Sequence, residues 1–217
     1  MPGKISFHFD DGHASHFRDV YRIFTKHGVP ACLSIIARPE RGLDDARRMH
    51  EAGFEILCHS RSHIKMSAPL PSGEAYREIV ESKRILAGYG IPTRQFITPM
   101  SAAHPSLLPL LREHYDAAFT RYTNAQEGPI DQLMIARPID RYTLHRACLT
   151  KKSDSELYAY ADRVAETDGW LVFYDHDLGV NGNITAERLD ALVAYILKRG
   201  VRIVTSSQAI DEECFGR

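Results

Sequence analysis

Cysteine is scarce in this chain, and long apolar runs and an excess of either charge are missing. Four cysteines, at positions 32, 58, 148 and 214 of 217 residues, form no C-x-x-C pair. That spacing excludes a thiolate zinc clip or a compact disulfide framework, and reduced thiols are expected. Twenty-seven basic residues against 28 acidic ones leave a formal net charge of -1, so no global positive field exists to gather phosphate backbones, and nucleic acid is not an expected partner. No segment has the roughly 20 apolar residues of a membrane span, so no membrane insertion is expected. Met1-Pro2-Gly3-Lys4 runs straight into a strand-like segment, which leaves no room for a signal peptide, and a cytoplasmic protein is expected. Internal repeats and low-complexity tracts are absent. The basic cluster Arg38, Arg41, Arg47 and Arg48 is interleaved with Glu40, Asp44 and Asp45 and reads as a solvated helix surface.

What is present is the pattern of an ordinary globular chain. With 44% hydrophobic residues, one domain over 1–217 is the simplest division, burying roughly 70% of the unfolded surface. Strand-length apolar or β-branched runs fall at 4–9, 31–37, 54–58, 93–98, 116–120, 170–174 and 201–205. Helix-length stretches lie between them, at 15–27, 43–52, 73–88, 105–114, 153–167 and 185–199, several ending at a glycine stop such as Gly28, Gly53 or Gly200. Strands alternating with helices imply a parallel sheet, either doubly wound or closed into a barrel. The stretch 121–150, broken by Gly128-Pro129 and Arg137-Pro138, is expected to be an irregular connection that covers one end of the sheet.

Four places carry chemistry. Asp10-Asp11-Gly12 ends the first strand, putting two carboxylates that diverge in direction where α/β folds build their sites. Asp44-Asp45 is the same pair in a duller setting, since acids opening a helix simply complement its dipole. His59 and His63 follow the strand FEILC as H-x-x-x-H, a spacing that sets both imidazoles on one side of a helical turn for a shared metal. His176 sits between Asp175 and Asp177 after the strand WLVFY, and acidic neighbours favour an imidazolium able to donate a proton. Pro99 and Met100, after the strand near 93–98, form a stiff loop whose backbone N–H groups can face the same end of the sheet.

In order as well as content, these residues resemble the polysaccharide deacetylase family, the NodB-homology or family 4 carbohydrate esterases. His8-Phe9-Asp10-Asp11-Gly12 is similar to its T-F-D-D-G motif, His59-Ser60-Arg61-Ser62-His63 to H-[ST]-x-x-H, and Phe173-Tyr174-Asp175-His176-Asp177 to its final strand and histidine; Gly28-Val29-Pro30-Ala31 resembles G-[IV]-P-A. The resemblance implies a distorted (β/α) barrel of about seven parallel strands. It implies one divalent metal on Asp11, His59 and His63, with Zn²⁺ first and Co²⁺, Ni²⁺ or Fe²⁺ also suited to that donor set. Asp10 would be the general base, His176 the acid that protonates the leaving amine, and a backbone N–H at about Met100, in the loop stiffened by Pro99, the oxyanion donor.

Two departures stand out. The family's third motif, F-R-x-P-Y-G, carries an arginine that orients the base, whereas this chain has Ile97, Met100 and Ser101 in the corresponding stretch. Arg137 is the expected substitute. The acid that supports the catalytic histidine in the fourth motif is not in register either, and Asp140 and Asp175 are its candidates. The activity implied is removal of an N-acetyl group from a small or lipid- or nucleotide-linked amino sugar in surface polysaccharide metabolism. The alternatives are hydrolysis of a cyclic amide or formamide on the same fold, or a degenerate binding module.

Overall fold

The computed structural model describes residues 3–120, 130–135, 137–150 and 152–215. In chain order its strands are β1 (Lys4–Asp10), β2 (Cys32–Ile35), β3 (Glu55–Cys58), β4 (Gln95–Ile97), β5 (Ala117–Phe119), β6 (Met134–Ile135), β7 (Ala147–Cys148), β8 (Trp170–Asp175) and β9 (Arg202–Ile203). The sheet runs β5-β4-β3-β2-β1-β8-β6, with β7 on β8 and β9 on β1. Every pairing is parallel except that of β6 with β8. Leu144 N–H donates to Ala118 O at 3.3 Å and Thr120 N–H to Leu144 O at 3.2 Å, so the segment leading into β7 joins β5 and closes the wall. The result is a distorted (β/α) barrel of seven parallel strands, β1 to β5, β7 and β8. β9 pairs with the start of β1, at Lys4 and Ile5, along the edge that β2 occupies higher up, at His8 to Asp10.

The helices are α1 (Tyr21–His27), entered by a π turn at His16–Val20; α2 (Leu43–Glu51); α3 (Ser72–Tyr76) and α4 (Ser82–Gly88), joined by a π turn at Arg77–Glu81; α5 (Leu108–His114); α6 (Ile130–Leu133); α7 (Asp154–Ala165); α8 (Ala186–Lys198); and α9 (Ser206–Phe215). Each buries one stripe: in α8 this is Leu189, Leu192, Val193 and Ile196, the i, i+3, i+4, i+7 spacing of one helix face. Ser153 and Glu156 make a capping box at the start of α7, and Thr185 caps α8, satisfying amides that a helix start leaves unpaired. Among the described residues no helix is long and apolar enough to cross a membrane.

The strand alternation separates two cores. Ile5, Phe7, Phe9, Leu33, Ile56, Phe96 and Phe173 pack with the helices outside the wall, whereas Cys32, Leu57, Ile97, Phe119, Trp170 and Val172 pack with Ala209 and Ile210 of α9 inside it. α9 therefore plugs the amino-terminal end of the barrel.

The seven expected strands and six expected helix regions all carry an element of the expected type. The structure adds α6, β6, β7 and α9. Within the expected irregular connection, residues 121–129 lie outside the described residues, and 130–150 supplies α6, β6 and the closing strand β7 rather than only a cover.

Phe7 is fully buried and meets Phe24 at 5.3 Å and Phe173 at 5.5 Å between ring centroids. Phe7→Ala is expected to cost about 3–5 kcal/mol in urea unfolding; a loss under about 1 kcal/mol would contradict this account of the outer core.

Candidate metal centre and catalytic site

The site lies at the carboxyl ends of β1, β3, β4 and β8. At the end of β1 the two aspartates separate as expected. Asp10 is the last strand residue and is buried; its Oδ1 accepts hydrogen bonds from Ser34 Oγ at 2.6 Å and Arg146 Nη1 at 2.8 Å. Burial alone would raise its pKa, but the Arg146 guanidinium outweighs that and holds the carboxyl well below its ordinary range. Asp11 turns off the strand into a left-handed conformation, φ 76°, while its N–H keeps the ladder to Ser34 O at 2.9 Å. Gly12 follows at φ 70°, and a Cβ there would come within 3.1 Å of the Arg41 carbonyl, so the β1 loop packs directly on the β2 loop.

His59 and His63 are brought together differently from the expectation. The segment between them is an irregular bend rather than a helical turn, with Ser60 and His63 both in left-handed backbone, φ 60° and 56°. Buried Glu78, from the π turn after α3, accepts from the Arg61 and Ser62 N–H groups at 3.1 and 2.8 Å, and His63 N–H donates to Ser60 Oγ at 3.0 Å. These bonds hold the two rings in an edge-on arrangement, centroids 5.0 Å apart.

The donor set fits a divalent cation. His59 Nδ1 lies 2.8 Å from the Ile97 carbonyl, which can only accept, so Nδ1 carries a proton and Nε2 is the ring nitrogen that faces Asp11 and would serve as a ligand. That Nε2 lies 3.4 Å from Asp11 Oδ1, and His63 Nε2 lies 3.3 Å from the same oxygen. Asp11 Oδ1 is buried without a hydrogen-bond partner. The three atoms lie within 4.8 Å of one another and could hold a cation, since ligands about 2.0–2.1 Å from a tetrahedral zinc sit roughly 3.4 Å apart. The Ile97 carbonyl is the outer partner that fixes the tautomer of such a ligand.

His176 follows β8, half-buried, its ring 5.9 Å from that of Tyr174. Its loop is pinned from two sides. Asp175 Oδ1 accepts from His176 N–H and Thr150 Oγ, both at 2.9 Å, and Oδ2 from Ile184 N–H at 2.8 Å. From the β1 loop, Ser15 Oγ donates to Asp177 at 2.5 Å and accepts from Leu178 N–H at 3.1 Å, while His16 Nε2 lies 3.1 Å from His176 O. Burial lowers the His16 pKa to about 4, so that ring is neutral and donates to the carbonyl. His13 stands between Asp11 at 3.6 Å and Asp177 at 3.8 Å; the Asp11 carboxylate raises its pKa.

Three expected supporting roles are corrected. Arg137 does not reach Asp10. Its guanidinium is held by Asp168 and Glu213, beside the start of β8 and on α9, at the opposite end of a strand about 20 Å long. The arginine on Asp10 is Arg146, just before β7, buried and stacked 4.4 Å over the Tyr174 ring. Asp140 closes its own turn through Tyr142 N–H and Thr143 Oγ, both at 3.0 Å, and does not support His176. Asp175 is in the site but bonds the His176 backbone rather than its ring. Pro99 and Met100 lie in a short 3-10 turn after β4, with Met100 left-handed at φ 55° and 56% exposed.

A seven-stranded (β/α) barrel with an Asp-His-His cluster at its carboxyl mouth is the class defined by fold and site. Residues 2–122 match the polysaccharide deacetylase family, and the chain belongs to that family. Among curated proteins none matches the chain. Solved structures share the fold. A family 4 acetyl xylan esterase from Clostridium thermocellum in complex with a cobalt ion gives TM-score 0.67 at 18% identity, over 99% of this chain and 96% of its own. A family 4 carbohydrate esterase from Streptomyces lividans in complex with acetate gives 0.66 at 15%, over 94% and 91%. A CE4 family pseudoenzyme from Bacillus anthracis gives 0.71 at 14%, over 97% of this chain and 66% of its own, so this chain spans about two thirds of that protein's length.

If the cluster binds a cation, Zn²⁺ or Co²⁺ at about 100 times its Kd should stabilise the metal-free protein by about 2.7 kcal/mol. Thermal unfolding with and without added metal measures this. His63→Ala should abolish the increment, and an unchanged increment in that variant would remove His63 from the site.

Proposed function

We propose that the chain, read as one unit over 1–217, is a metal-dependent deacetylase that hydrolyses the acetamide of an N-acetylated amino sugar. The observation that carries this reading is the convergence of the Asp11, His59 and His63 donor atoms beside an ionised, arginine-held Asp10. A divalent cation on those three residues, Zn²⁺ or Co²⁺ by donor chemistry, supplies Lewis-acid polarisation of the acetamide carbonyl and eases ionisation of the attacking water.

The chain's own groups do the rest. Arg146 and Ser34 both occupy Asp10 Oδ1, leaving Oδ2 to take the proton of the attacking water as general base. His176, from the opposite side of β1, delivers a proton to the departing amine nitrogen. The Met100 N–H, in a left-handed turn after β4, is the proposed donor to the oxyanion. A degenerate binding module is disfavoured, because base, acid and all three ligands are present together.

Acetate release from N-acetylated sugars tests the proposal. Asp10→Asn should lower kcat by about 10²–10⁴-fold with bound metal retained, and activity equal to wild type would eliminate Asp10 as base. Arg146→Met should also lower kcat, by roughly ten- to a hundredfold, because it leaves Asp10 buried without its charge partner; the KM for the sugar should change little. A wild-type kcat in Arg146→Met would deny the arginine its positioning role.

A further inference from the structure

The mouth of the barrel is electrically lopsided in a way the neutral whole conceals. The loops after β2 and β3, residues 36–42 and 59–71, contain Arg38, Arg41, Arg61 and Lys65 against a single acid, Glu40. They form one continuous rim: Ala37 N–H donates to Ser60 O at 2.9 Å, and Arg38 Nε donates to Arg61 O at 3.1 Å. The rim abuts the metal ligands, since Arg41 O packs against Gly12, next to Asp11, and Arg61 lies between His59 and His63.

These cations are poorly neutralised. Among the described residues, Arg38 has only the exposed Glu40 at 3.9 Å and Arg61 only Glu81 at 3.9 Å, and Arg41 and Lys65, both exposed, have no ion pair. By contrast, Arg48 on α2 is hydrogen-bonded to Asp45 at 3.1 Å, while Arg47 has Asp44 at 4.0 Å. The sequence cluster expected to be one solvated helix face is thus two groups, Arg47 and Arg48 on the helix and Arg38 and Arg41 at a 3-10 turn, Pro39–Arg41, beside the site, and of the second group Arg41 has no ion pair among the described residues.

We propose that Arg38 and Arg41, flanked by Arg61 and Lys65, form an anion subsite for a phosphoryl group carried by the substrate. The sugar is then a phosphate-bearing N-acetylamino sugar, a sugar nucleotide or a lipid-linked glycosyl diphosphate, rather than a neutral polymer. Arginine forks suit phosphate oxygens, and a charge-lined cleft concentrates such a ligand before it docks. The sugar part of this assignment rests on the deacetylase reading; the phosphoryl part rests on the rim alone.

Binding and turnover are measured together on the metal-loaded protein. The ligands are UDP-N-acetylglucosamine, N-acetylglucosamine 1-phosphate, a short prenyl diphosphate-linked N-acetylglucosamine and neutral chitotriose; the proteins are wild type, R41Q and R38Q/R41Q. At least one phosphorylated ligand should bind wild type tenfold or more tightly than chitotriose by calorimetry. That ratio should fall several-fold in R41Q and to near unity in R38Q/R41Q, and should shrink as ionic strength rises from about 0.05 to about 0.5 M. The nucleotide and prenyl arms separate the two sources of diphosphate. Chitotriose binding as tightly as every phosphorylated sugar, or a ratio unchanged in both variants, overturns the inference. Acetate from chitotriose without any phosphate preference sinks the subsite alone. Phosphate-dependent binding lost in R38Q/R41Q, but with no acetate from any sugar, supports the subsite and sinks the deacetylase reading alone.

Discussion

Burial of β1 on both faces forces every polar residue it carries to find a partner inside the barrel, and the site is the uppermost of those pairings. Lys-Ile-Ser-Phe-His-Phe-Asp alternates strictly, and in an open antiparallel sheet the polar half would face water. Here neither half does. Lys4 pairs with Glu212 at 3.0 Å and Glu213 at 2.8 Å; Ser6 accepts from Trp170 Nε1 at 3.1 Å; His8 Nε2 lies 2.6 Å from Ser206 Oγ; and Asp10 takes Ser34 and Arg146. Each pairing recruits a distant element: α9 for Lys4 and His8, β8 for Ser6, and β2 with the approach to β7 for Asp10. A buried ion pair is weak evidence for net stability, yet removing one partner is expected to cost about 3–5 kcal/mol. The column therefore selects one arrangement of the wall more than it strengthens it, and that arrangement fixes where Asp10 points.

The same constraint accounts for where strain accumulates. Asp11, Ser60, His63 and Met100 all adopt left-handed backbone without being glycine, at a cost of order 1–3 kcal/mol each. All four lie at the carboxyl ends of β1, β3 and β4. A strand that ended without turning would carry its next side chain along the wall; the left-handed turn at Asp11 swings its carboxylate toward His59 and His63 instead. Glu78, buried and accepting two backbone N–H groups, holds the second of these turns. Its removal would free the bend and not merely a surface loop.

Legibility in the sequence follows the range of the forces involved. The seven strand runs and six helices were readable because hydrophobic period is local, and Asp10, Asp11, His59, His63 and His176 because strand ends share one face of a parallel fold. Arg146 was not. It precedes a strand of two residues, too short to show a period, and its partner Asp10 lies 136 positions away. Arg137, beside a proline and an acid, looked the better substitute, but its charge is spent at the other end of the barrel. Ser15 and His16 went unnoticed for the same reason, since their bonds reach across to residues 176–178. α9 has only weak amphipathicity because its partners are polar lumen groups such as Glu55 and His8 as well as apolar ones.

Charge illustrates the limit from the opposite direction. A net charge of -1 excludes a general attraction for polyanions but says nothing about the field at one rim, because potentials at a cleft depend on charges within about a Debye length, roughly 8–10 Å. Asp44 and Asp45 cancel Arg47 and Arg48 on α2, where helix spacing lets them meet. Asp44 and Asp45 stand three and four positions after Arg41, but Gly42, left-handed at φ 73°, breaks the helix between them, and among the described residues they pair with Arg47 and Arg48 and not with Arg41. The backbone break that shapes the β2 loop also leaves Arg41 without an ion pair among the described residues and Arg38 with the exposed Glu40 at 3.9 Å. Being fixed to Ser60, Arg61 and Gly12, that loop presents them to the mouth, where a substrate's own charge is the available counterion.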